Sequence, residues 1–149
     1  MKLNFTLLLL IMLAAFPLLG QEDWSSPWSS PLSFVGMTLS ELIGRFGPPD
    51  EVRAVRGAET WQDDVVFVYS AGEFYVYKDR VWQVSLASAY GLSIGDPKPA
   101  AFLVLGDDAV DLGNYLFYPL PAGAWPLAMR VTFSDAGVIT AIYVYRRDY

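Results

Sequence analysis

The sequence predicts an α+β fold in which two tandem helix-plus-β-meander repeats join into one antiparallel sheet, with the helices on one face. Three observations carry this expectation. A short, well-capped amphipathic helix is spelled out by Thr38 to Pro49. Three β-branched and aromatic runs separated by tight turns follow it. The same succession then recurs, because Gly36 and Gly47 are matched by Gly95 and Gly106 at a period of about 59 residues.

Residues 1–20 read as an export signal. Lys2 supplies a positive start, Leu7 to Phe16 an apolar run, and Pro17 to Gly20 a break before the polar Gln21-Glu22-Asp23. The run is shorter than the ~20 apolar residues of a spanning helix, so no stable membrane span is expected after the signal is removed. Residues 21–35 read as a Trp/Ser/Pro linker: Trp24-Ser25-Ser26-Pro27 repeats at once as Trp28-Ser29-Ser30-Pro31, with no helical or alternating period. Trp24 or Trp28 is a candidate to dock on a partner or to fold back on the body.

The first repeat is expected over residues 36–90. Thr38 and Glu41 have capping-box spacing, with Met37 and Leu42 as the hydrophobic staple. Leu39, Leu42, Ile43 and Phe46 form one apolar helical face, Gly47 suits the helix end, and Pro48-Pro49 forbid continuation. Val65–Tyr69, Phe74–Lys78 and Val81–Ala87 read as strands, with Glu59 to Gln62 leading in. The second repeat is expected over residues 91–149. Asp96 serves as N-cap, Pro97 opens the helix, and Ala101, Phe102 and Leu105 take the offsets of Leu42, Ile43 and Phe46. Tyr115–Tyr118, Met129–Phe133 and Val138–Arg146 are its strands.

A short helix with a Phe-Gly-Pro-Pro stop, followed by a meander whose last hairpin turns at an Asp, resembles the repeat of beta-lactamase inhibitory protein. It is also similar to the single-copy SmpA/OmlA outer-membrane lipoproteins. The second copy, with Leu105-Gly106-Asp107-Asp108, lacks the prolines. The resemblance implies the fold, and an inhibitory or envelope-assembly role as an exported protein. It does not extend to the inhibitor's disulfides or the lipoproteins' acylated Cys, since this chain has no Cys.

Composition closes off most chemistry. With no His and no Cys, there is no imidazole acid–base group, no thiolate nucleophile and no lipid anchor on a cysteine. A formal charge of −6 disfavours nucleic acid as partner. No phosphate-binding glycine loop is present. The carboxylate groups Asp63-Asp64 and Asp107-Asp108 with Asp111 fall in loops and read as solvated acid rather than as an acid–base pair or a calcium loop. The expectation is therefore a protein that is not an enzyme, with no catalytic residues, no cofactor and no metal.

The aromatic residues remain as the stronger signal. Strand alternation puts Tyr75 and Tyr77 on one face, Arg130 and Thr132 on one face, and Ile139, Tyr143 and Tyr145 on one face, opposite Val138, Ile142 and Val144. Trp82, Val84 and Leu86 read as inward, although a slip of one residue turns Trp82 out. The Pro-rich loop Tyr118 to Leu127 carries Trp125, which either folds back or inserts into a partner. The partner-binding candidates are thus Tyr75, Tyr77, Arg130, Tyr143, Tyr145 and Trp125, a set with the composition of protein-recognition hot spots. The expected function is an exported, periplasmic or secreted, protein-binding module with an unidentified protein partner. The alternative is a periplasmic small-ligand or cell-wall-glycan binder using the same aromatics.

Overall fold

The computed structural model describes residues 31–56, 64–121 and 123–148. The export signal, Trp24, Trp28 and the lead-in Glu59–Gln62 lie outside the described residues.

A 3-10 turn, Pro31–Ser33, leads to helix α1 (Leu39–Phe46) and strands β1 (Glu51–Val55), β2 (Asp64–Tyr69), β3 (Gly72–Tyr77) and β4 (Arg80–Leu86). A small hairpin, β5 (Ser88–Ala89) and β6 (Leu92–Ser93), connects to helix α2 (Lys98–Leu105). A second 3-10 turn and strands β7 (Val110–Asp111), β8 (Tyr115–Pro119), β9 (Leu127–Phe133) and β10 (Ile139–Arg146) complete the chain. The large sheet is eight-stranded and antiparallel, in the order β1-β2-β3-β4-β10-β9-β8-β7. The last strand of each half therefore lies at the centre, where β4 pairs with β10.

α1 forms as its caps dictate. The Thr38 hydroxyl accepts from the Glu41 N–H at 3.2 Å, and the Glu41 carboxylate accepts from the Thr38 N–H at 2.7 Å. Gly47, with φ +78°, donates to the Ile43 carbonyl at 2.8 Å and closes the helix. α2 begins differently from expectation. Pro97 is the N-cap and no side chain caps the helix; Asp96 instead accepts from the Ser93 N–H. Tertiary bonds explain the shift. Gly95 N–H donates to the Ile139 carbonyl and Ile139 N–H to the Asp96 carbonyl, which holds residues 95–96 against the start of β10.

Most of the buried apolar residues form a contiguous cluster on one face of the sheet. Cross-strand rows Phe67–Phe74–Val84–Val144–Met129 and Leu86–Ile142–Val131–Leu116 build its floor. Leu42 of α1 and Ala101 and Leu105 of α2 belong to the same cluster. Ile43 and Phe102, expected on the buried helical face, are exposed at 41% and 38%. Each lies one residue beyond a fully buried position, about 100° around the helix, and a short helix on a sheet covers a narrower stripe.

Four further expectations are corrected. Residues 31–35 are not the end of a linker: Phe34 and Val35 are buried, and the Phe34 ring lies 5.6 Å from those of both Phe46 and Phe74. β1 is an unforeseen edge strand, exposed along its length. Ile139 faces inward rather than with Tyr143 and Tyr145, because an irregularity between Ile139 and Ala141 adds a residue and reverses the alternation. A second irregularity, opposite Tyr75 and Val76, leaves Val81 and Val84 buried and turns Trp82 to the outer face.

Candidate recognition surface

Register places the candidate residues. On the face of the sheet away from the buried cluster, one row reads Val66–Tyr75–Gln83–Tyr145–Ala128 and the next Val68–Glu73–Ser85–Tyr143–Arg130–Phe117. Tyr75, Tyr143, Tyr145 and Arg130 are thus brought together across four adjacent strands, β3, β4, β10 and β9. Tyr77 shares the face but sits at its end, opposite Arg80, with the Lys78 ammonium 5.0 Å from its ring.

These side chains pack on one another and are half-buried. The Arg130 guanidinium lies 4.6 Å from the centre of the Tyr143 ring. Tyr75 meets Trp82 edge-on at 6.4 Å and donates its hydroxyl to Glu73 at 3.0 Å. Glu73 in turn pairs with Arg53. Trp82 Nε1 donates to Asp64 at 2.9 Å. Burial, reinforced by the bond to Glu73, pushes the Tyr75 hydroxyl up to about 12. Burial likewise raises that of Tyr145, against the pull of Arg130. Both phenols are therefore neutral hydrogen-bonding groups at ordinary pH.

Between β4, β10, β9 and β8 the face dips into an open groove of about 390 Å³ lined by Trp82, Gln83, Phe117, Arg130, Tyr145, Arg146 and Arg147. Of these, Trp82, Gln83, Phe117, Arg146 and Arg147 were not among the sequence candidates. Alternation about the buried Leu116 was a signal that could have found Phe117. Trp82 depended on the strand irregularity.

Trp125 is not part of this surface. Its loop folds back so that the indole packs against the buried cluster, beneath the Arg146 guanidinium at 3.7 Å. A Cβ at Gly36 would stand 2.3 Å from its Nε1, so the missing side chain of Gly36 makes the seat for the ring. The fold-back alternative describes this loop.

A second exposed surface went unforeseen. In α2, Phe102, Leu103 and Val104 face outward, Leu103 at 87% exposure, beside the exposed Ile94 and Tyr90. Its sequence, Lys-Pro-Ala-Ala-Phe-Leu-Val-Leu, is apolar all round, which was the signal for a helix with more than one contact face.

The carboxylates serve structural bonds or solvent. Asp63 lies outside the described residues, Asp107 and Asp108 are exposed, and Asp111 pairs with Lys98 at 2.8 Å while accepting from the Gly113 N–H. Among the described residues no group of three or more acids gathers as a metal site. No helix among them is long and apolar enough to cross a membrane.

No family model matches this chain, and no curated protein does. Among solved structures, the chain is similar to an extracellular protein containing a SCP domain from Bacillus anthracis str. Ames, at 14% identity and a TM-score of 0.54. The match covers 87% of this chain and 48% of that one. A cysteine-rich secretory protein from Staphylococcus aureus subsp. aureus Mu50 is matched at 14% identity and a TM-score of 0.48, over 78% of this chain and 46% of that one. The chain thus spans about half the length of the solved structures it matches, and the likeness to the first of them is one of fold.

Proposed function

We propose that this chain is an exported, non-enzymatic protein-binding module that engages its partner through the outer face of its sheet. The carrying observation is that face itself: Tyr75, Trp82, Tyr143, Tyr145, Phe117 and Arg130 lie side by side on a broad, open surface. Aromatic residues and Arg with little Lys or acid are the composition of interface centres. The interior between sheet and helices is filled by side chains, which favours recognition on a surface over binding in an enclosed pocket.

We further read the chain as two copies of one unit with the helices on one face. Hydrogen bonds support this reading. Gly36 N–H donates to Val81 and Val81 N–H to Met37; Gly95 N–H donates to Ile139 and Ile139 N–H to Asp96. Gly36 and Gly95 have φ of +96° and +99°, and Gly47 and Gly106 close their helices alike. The resemblance to beta-lactamase inhibitory protein and to the SmpA/OmlA lipoproteins makes an inhibitor or an envelope-assembly factor the two roles to test. Export rests on the N-terminal segment, and the extracellular protein similar in fold agrees with a secreted location.

The open groove favours, as a second reading, a small ligand or cell-wall glycan stacked on Trp82 and Phe117. Affinity capture from an envelope extract separates the two. A protein retained by the wild-type chain and lost by Tyr143→Ala, with melting unchanged, supports the module. Glycan retained in its place, with no protein, supports the second reading, and capture indifferent to Tyr143→Ala and Tyr75→Ala counts against both.

A further inference from the structure

We infer that the groove between Trp82 and Phe117 takes an acidic segment of the partner polypeptide, a carboxylate on the guanidinium pair Arg130 and Arg147 with an adjoining apolar side chain against the rings; this rests on the protein-binding reading above.

Charge is the first argument. The chain carries a formal −6, yet the groove lining holds the guanidinium groups of Arg130 and Arg147 and no carboxylate. A local positive groove on an acidic protein attracts a short acidic segment while the overall field opposes a long polyanion, so a nucleic acid does not fit. Pairing is the second argument. Arg146 is already held by Asp148, through Nε at 3.0 Å and a terminal nitrogen at 2.8 Å. Among the described residues, Arg130 and Arg147 have no carboxylate partner. They rest instead on aromatic rings, Arg130 on Tyr143 at 4.6 Å and Arg147 on Phe117 at 5.5 Å.

Desolvation is the third argument. Arg130 Nε is buried without a hydrogen-bond acceptor, so the inner edge of that guanidinium is already out of water. A carboxylate reaching its terminal nitrogens interacts in a lower dielectric than at a free surface. The planar fork of a guanidinium matches a carboxylate with two parallel bonds, and the ring beneath fixes its plane in advance. Gln83 and the neutral Tyr145 hydroxyl complete the lining as groups that hydrogen-bond without repelling a carboxylate.

A displayed random-peptide library selected on the purified protein tests this. The expected result is enrichment of Asp or Glu next to an aromatic or aliphatic residue. A synthetic peptide of the selected consensus should lose about tenfold or more in affinity on Arg147→Gln, on Arg130→Lys, and on changing its own acids to amides. Arg147 is exposed, so its variant keeps the fold, and melting curves report on Arg130→Lys. Selected peptides without acidic bias that still depend on Tyr143 overturn the inference and leave the recognition face standing. Failure to select any peptide that depends on Tyr143, Tyr75 or Arg147 overturns both. Acidic peptides bound solely by a Glu22→Gln, Asp23→Asn, Trp24→Ala variant make the chain's own arm the occupant and overturn the inference.

Discussion

Replacing Phe34 by Ala should cost about 3–5 kcal/mol of folding stability. The ring has no exposed surface. Removing it takes roughly 100 Å² of buried apolar area out of contact, about 2.5 kcal/mol at 25 cal/mol per Å². It also breaks the contacts at 5.6 Å with Phe46, edge-on, and with Phe74, each worth about 0.5–1.5 kcal/mol beyond area. The Arg45 guanidinium, 5.3 Å above the ring, loses its stacking surface as well. Because Phe46 and Phe74 also contact each other and Tyr69, the cluster cannot close the hole without moving α1. Urea unfolding followed by fluorescence measures the change, with Phe34→Leu as an intermediate that folds if the Ala variant does not. Phe102→Ala is the control: its side chain is part-exposed, so its cost should stay near 1 kcal/mol or below. If Phe34→Ala unfolds within about 0.5 kcal/mol of wild type, residues 31–35 are a linker after all and the packing argument fails.

Tyr143→Ala should weaken partner capture by roughly 1–4 kcal/mol while lowering stability by less than that, read from binding and melting of one preparation; unfolding on the scale of Phe34→Ala would make it core. Gly36→Ala should destabilise by about 1–3 kcal/mol, since its Cβ meets Trp125 at 2.3 Å and its φ is +96°. Adding Trp125→Ala should recover part of that loss, and strict additivity in the double-mutant cycle would mean that the indole does not occupy this seat. Stability should fall as pH rises from about 10 to about 12, because the unfolded chain ionises Tyr75 near its ordinary value before the folded chain does; Tyr75→Phe should flatten this alkaline slope in urea midpoints. At the acid end the sign reverses. Bonds from the Thr38 N–H and hydroxyl hold the Glu41 carboxyl below its ordinary value, so its contribution is lost as pH falls through the carboxylate range, and Glu41→Gln should shallow that loss.

Local rules were enough where a few neighbouring residues decide the outcome. Thr38, Glu41 and Gly47 bound α1 through bonds inside the same helix, so spacing alone located both ends. The α+β class and the antiparallel strands follow from alternation and turn chemistry in the same way. The turn at Lys78-Asp79, with both φ positive, came one residue from where it was expected, which is within the reach of a local reading.

Of the recognition candidates, Tyr75, Tyr143, Tyr145 and Arg130 were legible because they sit in regular stretches where the period of two holds. Trp82 and Ile139 were not. Each lies at a strand irregularity whose position depends on which strand pairs alongside, and a single extra residue exchanges inside for outside.

The sequence by itself therefore determined the class of the fold, the capped first helix, the absence of any imidazole or thiol chemistry and most of the aromatic surface, since these depend on composition and on contacts a few residues apart. The tertiary structure decided the rest: that β4 and β10 meet at the centre, that Phe34 joins the core, that Trp125 folds back over Gly36, and that Arg130, Arg146 and Arg147 line a groove with Trp82 and Phe117. Those facts join residues far apart along the chain, most of them from its separate halves, and their spacing carries no record of the distances that strand pairing brings to a few ångströms.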